Sequence, residues 1–479
     1  MAKKKKEKNS KVYRKVVLFF AVLMFLSISA VIYKIYKMDV LSLKYFLLSS
    51  SIFAGVALII LVLALFSKKV FTRLLAFLLL IGLTVLPVYL LYNINLTEVL
   101  INNASKKIIK KEIFNVYVLK DSPISNISEL KDKRLGIFNN NSDTLLKAVG
   151  ELKKSVNSSM KKETYYDEID KLLNAGVSKA EDAIFITSTL DDIINEQYQE
   201  LIDKYKVIGT IEIKEVEKVK KSTNDITKDP FIIYVSGIDT YGNIGTVSRS
   251  DVNILIAINP KTSNILLVNT PRDYYVKLHS KGAYDKLTHA GIYGVEESLH
   301  TLEDLYDVKI DYYFKVNFSS LIKVVDAIGG IEVDSKYAFS FDGYTFKKGK
   351  NKLNGKAALA FSRFRKGLPE GDISRGENQE AVIKAIVEKI SSPSIITNYA
   401  SILTSLSKSF ITNISTDDIY KLAKEQIDKS DSWIVNSSNV RGYDASDVTY
   451  STGKTRLYVM KQDESSVLSV KSSLKSILE

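Results

Sequence analysis

The sequence predicts an α/β protein hung from a membrane. It should comprise an N-terminal three-helix transmembrane anchor, a small α/β accessory domain, and a larger domain with a mixed central β-sheet flanked by helices. Three observations lead there. Long runs free of charge crowd the N-terminus. Short apolar strand-like runs then alternate with helical ones for the rest of the chain. Between Tyr234 and Gln379, carboxylates are interleaved with arginines, a pattern that suits a polyphosphate site.

The anchor comes first. After the basic arm MAKKKKEKNSKVYRK, the runs Val16–Tyr33, Tyr45–Ser67 and Leu74–Thr97 carry no charge. Each is long enough to span a bilayer, which takes about 20 apolar residues. Pro87 should kink the third helix, which neighbouring helices tolerate. The net charge is +13, and 14 basic against 2 acidic residues place +12 of it within residues 1–95. The remainder is nearly neutral and does not resemble a general nucleic-acid binder, so no nucleic-acid partner is expected. The arm and the Lys68/Lys69/Arg73 loop hold 11 basic residues; the Lys34/Lys37/Lys44 loop with Lys106, Lys107, Lys110 and Lys111 holds 7. The more basic side faces the cytoplasm, which puts the N-terminus inside and the C-terminal domains outside the cell. The chain has no cysteine, which excludes thiolate catalysis and disulfides. Its 3 histidines argue against a multi-histidine zinc site.

With residues 1–97 as arm and anchor, residues 98–213 form the accessory domain. VYVLK, KRLGIFN, DAIFIT and YKVIGTIEI read as strands. DTLLKAVGELKKSV, YYDEIDKLLNAG and STLDDIINEQYQELIDKY have helical spacing. ISELKDKRLGIFNN resembles one lobe of an extracellular solute-binding domain. The domain shows no cluster of catalytic residue types, so it reads as a scaffold or as a ligand-binding lobe. Residues 214–230, polar and ending in Pro230, read as a linker.

Residues 231–479 form the catalytic domain. FIIYVSGID is a buried strand. VNILIAIN and NILLVNT form a hairpin around the turn NPKTSN. KLTHAGIYGVEESLHTLEDLY is mostly helix, YYFKVNF a strand, and SSLIKVVDAIGG a helix that glycine closes. IEV and YAFSFDGYTFKKGKNKL supply further strands, NGKAALAFSRF and ISRGENQEAVIKAIVEKI further helices, and RLYVM a strand in the tail.

The charged residues of this domain make chemical sense together. A pyrophosphate must have its charge neutralised before a hydroxyl can approach phosphorus, and the planar fork of arginine meets two oxygens at once. Arg272 follows the strand NILLVNT, at the end where α/β sheets bind ligands. Arg363 and Arg365 share a face if the chain is extended there, and Arg375 and Gln379 share a helical face. Asp239 and Asp251, at the ends of adjacent strands, are the candidate metal ligands. A hard, oxygen-bound ion such as Mg²⁺ or Mn²⁺ suits them. Arg249 would stabilise charge on the transferring phosphate. Asp251 is equally readable as the base that accepts the hydroxyl proton. Asp273 and Asp372 would hold arginines in place. Lys286 and His289 lie one helical turn apart, either near the pocket or as part of a structural helix start.

SRSDVNILIAINP, NTPRDYYV, KLTHAG, DAIGGIEV, LNGKAALAFSRFR and DISRGENQ together resemble the LytR–CpsA–Psr (LCP) family, most strongly over residues 231–395. Three leading helices and an accessory domain resemble its CpsA-type capsule proteins, from Gram-positive bacteria. The resemblance implies a phosphotransferase that moves a glycan-1-phosphate, here capsular polysaccharide, from an undecaprenyl-type polyprenyl pyrophosphate to a peptidoglycan sugar hydroxyl. It implies Mg²⁺ or a similar ion, a lipid tail buried among core helices and sheet, and capsule assembly proteins as neighbours. A polyprenyl-pyrophosphate hydrolase and a membrane-bound regulator without turnover are the competing readings.

Overall fold

The computed structural model describes residues 2–38, 41, 43–106, 108–139, 143–156, 160–217, 224–239, 244–245, 247–365, 367–369, 371–392, 410–429, 433–453 and 456–479. Helices α1 (Ala2–Met38), α2 (Leu43–Phe66) and α3 (Val70–Lys106) open the chain. Their stretches Lys11–Met38, Leu43–Phe66 and Val70–Asn95 are long and apolar enough to cross a membrane, with mean hydropathies of 2.7, 2.6 and 2.6. Small residues let the three approach one another: Ala57, Ala64 and Ala76 are buried beside Val17, Met24 and Leu80. Pro87 lies within α3, which runs on through it.

A five-stranded sheet follows, in the order β3-β2-β4-β1-β5. Its strands are β1 (Ile108–Leu119), β2 (Arg134–Phe138), β3 (Lys162–Tyr166), β4 (Ala183–Thr187) and β5 (Tyr205–Glu217). β2, β3 and β4 are mutually parallel, whereas β1 runs antiparallel to β4 and β5. Helix α4 (Asp143–Val156) covers one face; α5 (Ile169–Val177), α6 (Asp191–Gln197) and α7 (Gln199–Ile202) follow. Two sequence expectations are revised here. YYDEIDKLLNAG is not one helix: Tyr165 and Tyr166 close β3, paired with Ile137 and Phe138, and the helix starts only at Ile169. The stretch read as linker is partly strand, because β5 continues to Glu217 opposite Ile108.

The second sheet has six strands in the order β16-β11-β6-β7-β8-β17. They are β6 (Phe231–Ile238), β7 (Val252–Asn259), β8 (Asn264–Asn269), β11 (Tyr312–Asn317), β16 (Phe410–Thr412) and β17 (Ile434–Asn439). β7–β8 is the expected hairpin, and Ser263 at its turn has φ +53°. β6 pairs parallel with β11 and antiparallel with β7, so the sheet is mixed. Both faces of β6 are buried, and alternation sends its residues to different cores. Ile232 and Tyr234 join the core under α9 (Val295–Tyr306) and the C-terminal α14 (Glu464–Leu478). Ile233 and Val235 join the core under α12 (Asp372–Ile390) and α13 (Thr416–Lys429).

Smaller elements complete the domain. β9 (Tyr275–Lys277) pairs with β10 (Tyr284–Lys286), which leads into α8 (Leu287–Ala290), and β18 (Gly442–Val448) pairs with β19 (Arg456–Gln462), which packs on β9. Helices α10 (Phe318–Ala327) and α11 (Gly355–Arg363) pack with β12 (Ile331–Ser335), β13 (Phe339–Phe341), β14 (Tyr344–Phe346) and β15 (Gly349–Leu353) around a separate core.

Candidate active site

A cavity of about 170 Å³ opens at the carboxyl ends of the parallel neighbours β6 and β11, where ligands bind in such sheets. Asp239, Asp251, Arg363, Arg375 and Gln379 line it, together with the apolar side chains of Val235, Ile238, Leu321, Phe341, Leu359 and Val382. Several elements reach it. Asp239 follows β6, Asp251 precedes β7, Arg363 ends α11, and Arg375 and Gln379 share the inner face of α12.

Asp251 is fixed from every side. Its backbone N–H donates to the Gly237 carbonyl at 2.8 Å. Its Oδ1 accepts from Thr288 Oγ1 at 2.9 Å, and its Oδ2 accepts from Arg272 Nη1 at 3.3 Å. Burial works to raise this carboxyl, but the charges of Arg272, Arg249 and Arg375, with the Thr288 hydrogen bond, hold it below the usual carboxylate range. Asp239 behaves in the opposite way. It sits open to solvent at the rim, yet lost hydration and then the negative charge of Asp251 raise its carboxyl, against the pull of Arg363 and Arg375.

Beneath Asp251 lies a buried polar network that sequence patterning gave no reason to expect. Tyr234 Oη donates to Asn253 Oδ1 at 2.7 Å and lies 2.9 Å from Ser250 Oγ, which in turn lies 3.0 Å from Ser236 Oγ. Such a network fixes the strand end that carries Asp251. The short helix α8 closes over it. A Cβ on Gly291 would fall 2.6 Å from the Ser250 nitrogen and 2.7 Å from the Ser248 oxygen, so only glycine permits this approach.

The other expected residues fall into three groups. Arg272 stands behind Asp251, its side chain 15% exposed and engaged by Asp251 and Asp273. Asp273 also accepts from Lys286 Nζ at 2.9 Å. His289 is structural: its Nδ1 lies 2.6 Å from Asp285 Oδ1, and Asp285 Oδ2 accepts from the backbone and hydroxyl of Ser451. Arg365 is not brought to the cavity. Helix α11 ends at Arg363, Phe364 stacks on Phe339 at 4.5 Å, and Arg365 is left exposed. The Arg363 guanidinium instead lies 4.6 Å from the centre of the Phe318 ring. The side chain of Asp372 lies outside the described residues.

Arg249 takes an unexpected position. Its Nη1 donates to both Glu196 oxygens at 3.2 Å, and its Nη2 lies 3.4 Å from Asp192, both on α6 of the first sheet unit. Its Nε is buried without a hydrogen-bond partner among the described residues. Sequence offered one signal for this contact: Asp192 and Glu196 recur at helical spacing. No three acidic or histidine side chains converge as a ready-made cation site among the described residues.

The LytR_cpsA_psr family matches residues 197–475. The chain belongs to the LytR_cpsA_psr family. Relatives include the polyisoprenyl-teichoic acid–peptidoglycan teichoic acid transferase TagU of Bacillus subtilis, 34% identical over 55% of this chain and 84% of that protein. The TagU of Enterococcus faecalis is 41% identical over 43% of this chain and 70% of that protein. The crystal structure of B. subtilis TagU aligns over 53% of this chain and 98% of that one, with 34% identity and a TM-score of 0.41. The part matching the LytR_cpsA_psr family begins at Gln197, so Asp192 and Glu196, which hold Arg249, lie outside it.

Proposed function

We propose that this chain is a membrane-anchored phosphotransferase that moves a glycan-1-phosphate from a polyprenyl pyrophosphate to a sugar hydroxyl of peptidoglycan. One observation carries the reading: a single cavity combines carboxylates and arginines with a set of apolar side chains. A charged diphosphate joined to a hydrocarbon chain combines the same two characters. Arg363 and Arg375 fork onto phosphate oxygens, with Arg249 recruited from its α6 carboxylates. The wall from Val235 to Val382 takes the first isoprene units. The acceptor hydroxyl attacks the glycan-bearing phosphorus, the P–O bond to the carrier phosphate breaks, and polyprenyl phosphate leaves. The hydroxyl proton goes to one of the two carboxylates of the cavity, Asp239 or Asp251.

Mg²⁺ or Mn²⁺ fits the residues present. Asp239 and Asp251 share the cavity, where lost hydration and then the charge of Asp251 raise Asp239, and two carboxylates plus substrate phosphates are a common way of holding Mg²⁺. Bound there, such an ion would neutralise phosphate charge.

The three helices anchor the active domain at the bilayer that holds the lipid donor, with the N-terminus cytoplasmic by its basic charge. The three-helix, two-unit layout favours capsular polysaccharide as the polymer, whereas the relatives are named for teichoic acid. The test is to incubate the full chain with a polyprenyl-pyrophosphoryl saccharide, Mg²⁺ and peptidoglycan fragments, and to identify products by mass spectrometry. A sugar–phosphate–sugar adduct with polyprenyl phosphate is expected. Free sugar phosphate alone would make the protein a hydrolase, and untouched lipid would leave it a regulator. Running capsular and teichoic precursors in parallel names the polymer.

A further inference from the structure

A second cavity, of about 130 Å³, lies over the five-stranded sheet. It sits where the topology leaves a crevice. After β2 the chain enters α4, whose Leu145, Ala148 and Leu152 pack with Phe114 and Phe185 on one face. After β3 it enters α5, whose Ile169 and Leu172 pack with Ile184 and Ile186 on the other. Connections that leave adjacent parallel strands for opposite faces open a crevice at the carboxyl ends, the place where open α/β sheets take ligands. Phe138 and Asn139 line the cavity from the end of β2, Asp167 from β3 and Thr187 from β4. The far wall belongs to the other sheet unit: Ile292, Tyr293, Tyr450 and Ser451. A solute-binding lobe would close against a second lobe; here the catalytic unit stands in that position.

The lining specifies the chemistry of a ligand. Asp167 is the one charged group among the described lining residues, and none is a lysine or arginine, so the cavity does not suit a phosphate. Asn139 Nδ2 donates to Asp167 Oδ1 at 2.8 Å, a pair that offers further acceptors to hydroxyl groups. Thr187 and Thr189 add hydroxyls. The Tyr293 and Tyr450 rings, with centroids 6.1 Å apart and tilted by 55°, supply an aromatic wall. Apolar surface with a few placed polar groups is the usual composition of a small-ligand pocket. An engineered cavity of ~150 Å³ holds benzene, so at about 130 Å³ this one takes a single ring whose substituents reach its open mouth. We propose that it binds one uncharged pyranose ring, with its apolar face toward Tyr293 and Tyr450 and its hydroxyls toward Asn139, Asp167 and Thr189. Leu190 in its wall is followed directly by α6, which carries the Asp192 and Glu196 that hold Arg249. The bound sugar therefore sits one residue from the helix that grips the second site.

The test reads binding without turnover, so it stands or falls apart from the transfer reaction. The full chain in detergent is titrated with N-acetylglucosamine, glucose and galactose, followed by calorimetry and saturation-transfer NMR, with inorganic phosphate as a control. At least one sugar should bind. Asp167→Ala and Tyr450→Ala should each weaken it tenfold or more. Both side chains lie at the surface, Tyr450 being 37% exposed, so neither change disturbs a core. A peptidoglycan disaccharide that binds tenfold tighter than its monosaccharides would assign a glycan as the ligand; equal affinity would assign free sugar. Absence of binding by every sugar would overturn the proposal. So would binding that survives both substitutions but is lost in Arg375→Ala.

Discussion

The contact between Arg249 and α6 makes a quantitative prediction. If the donor pyrophosphate takes Arg249, it must displace Glu196 and Asp192, and neutralising both in an Asp192→Asn, Glu196→Gln variant removes that competition. The contacts are at 3.2 and 3.4 Å, longer than the roughly 2.7–2.9 Å of strong charge-assisted pairs. The carboxylates are 59% and 57% exposed, against 14% for the Arg249 side chain. Exposed pairs are worth about 0.2–1 kcal/mol each, so the two together hold Arg249 by about 1 kcal/mol. At 1.4 kcal/mol per tenfold, the variant should bind donor up to about fivefold more tightly. The assay is steady-state transfer at low ionic strength, with KM for the lipid donor as the readout. KM should fall at unchanged kcat, and the difference should shrink as salt screens the exposed partners. A fall in kcat at unchanged KM would refute the reasoning, because it would show that α6 orients Arg249 for the reaction and does not withhold it.

The two site carboxylates should have opposite effects on stability. Asp239 is raised in the folded state, so folding is disfavoured as pH rises through its titration. Asp239→Asn should therefore raise Tm at neutral pH while abolishing transfer, and the gain should vanish toward pH ~4, near the ordinary carboxylate value. Asp251 is lowered, so its contribution is present above the unfolded value and lost as pH falls through the folded one. Asp251→Asn should lower Tm at neutral pH, and melting curves across pH check both signs. Asp285 is fully buried and accepts from Ser451 and the Lys286 backbone beside His289. Removing it in Asp285→Ala strands those donors and should cost about 3 kcal/mol, read by chemical denaturation. Gly291→Ala should cost about 1–3 kcal/mol by overpacking and displace Ser250 and Asp251. Its transfer activity should fall further than that of Gly282→Ala, a position whose Cβ meets nothing within 4 Å, although its φ of +63° strains any other residue.

What was legible in the sequence followed the range of the forces involved. The hairpin β7–β8 and helices α4, α11 and α12 were readable because their periodicity and turn residues are local. Tyr165 and Tyr166 were misread because the acidic residues after them suit a helix start, while the parallel partners that make them strand, Ile137 and Phe138, lie far along the chain. In the site, Asp239, Asp251, Arg363, Arg375 and Gln379 were all nominated, and the fold brings them to one cavity. Arg365 was nominated to share a face with Arg363 in extended chain; Phe364 between them is extended, yet Arg365 is exposed and does not line the cavity. The hold of α6 on Arg249 and the Tyr234 network beneath Asp251 depend on which elements meet in space, which no local pattern records.

The structure also separates two carboxylates that sequence could only nominate together. Asp251 is dry, twice hydrogen-bonded and ringed by Arg272, Arg249 and Arg375, so its charge is the stable feature of the cavity. Asp239 faces solvent, carries the repulsion of Asp251, and is the group whose protonation or cation binding relieves that strain. Environments that push a pair apart in this way assign the members different tasks. Of the two readings of Asp251, base and metal ligand, the second suits its surroundings better: an acid held below its ordinary range is a poor proton acceptor and a good partner for cations.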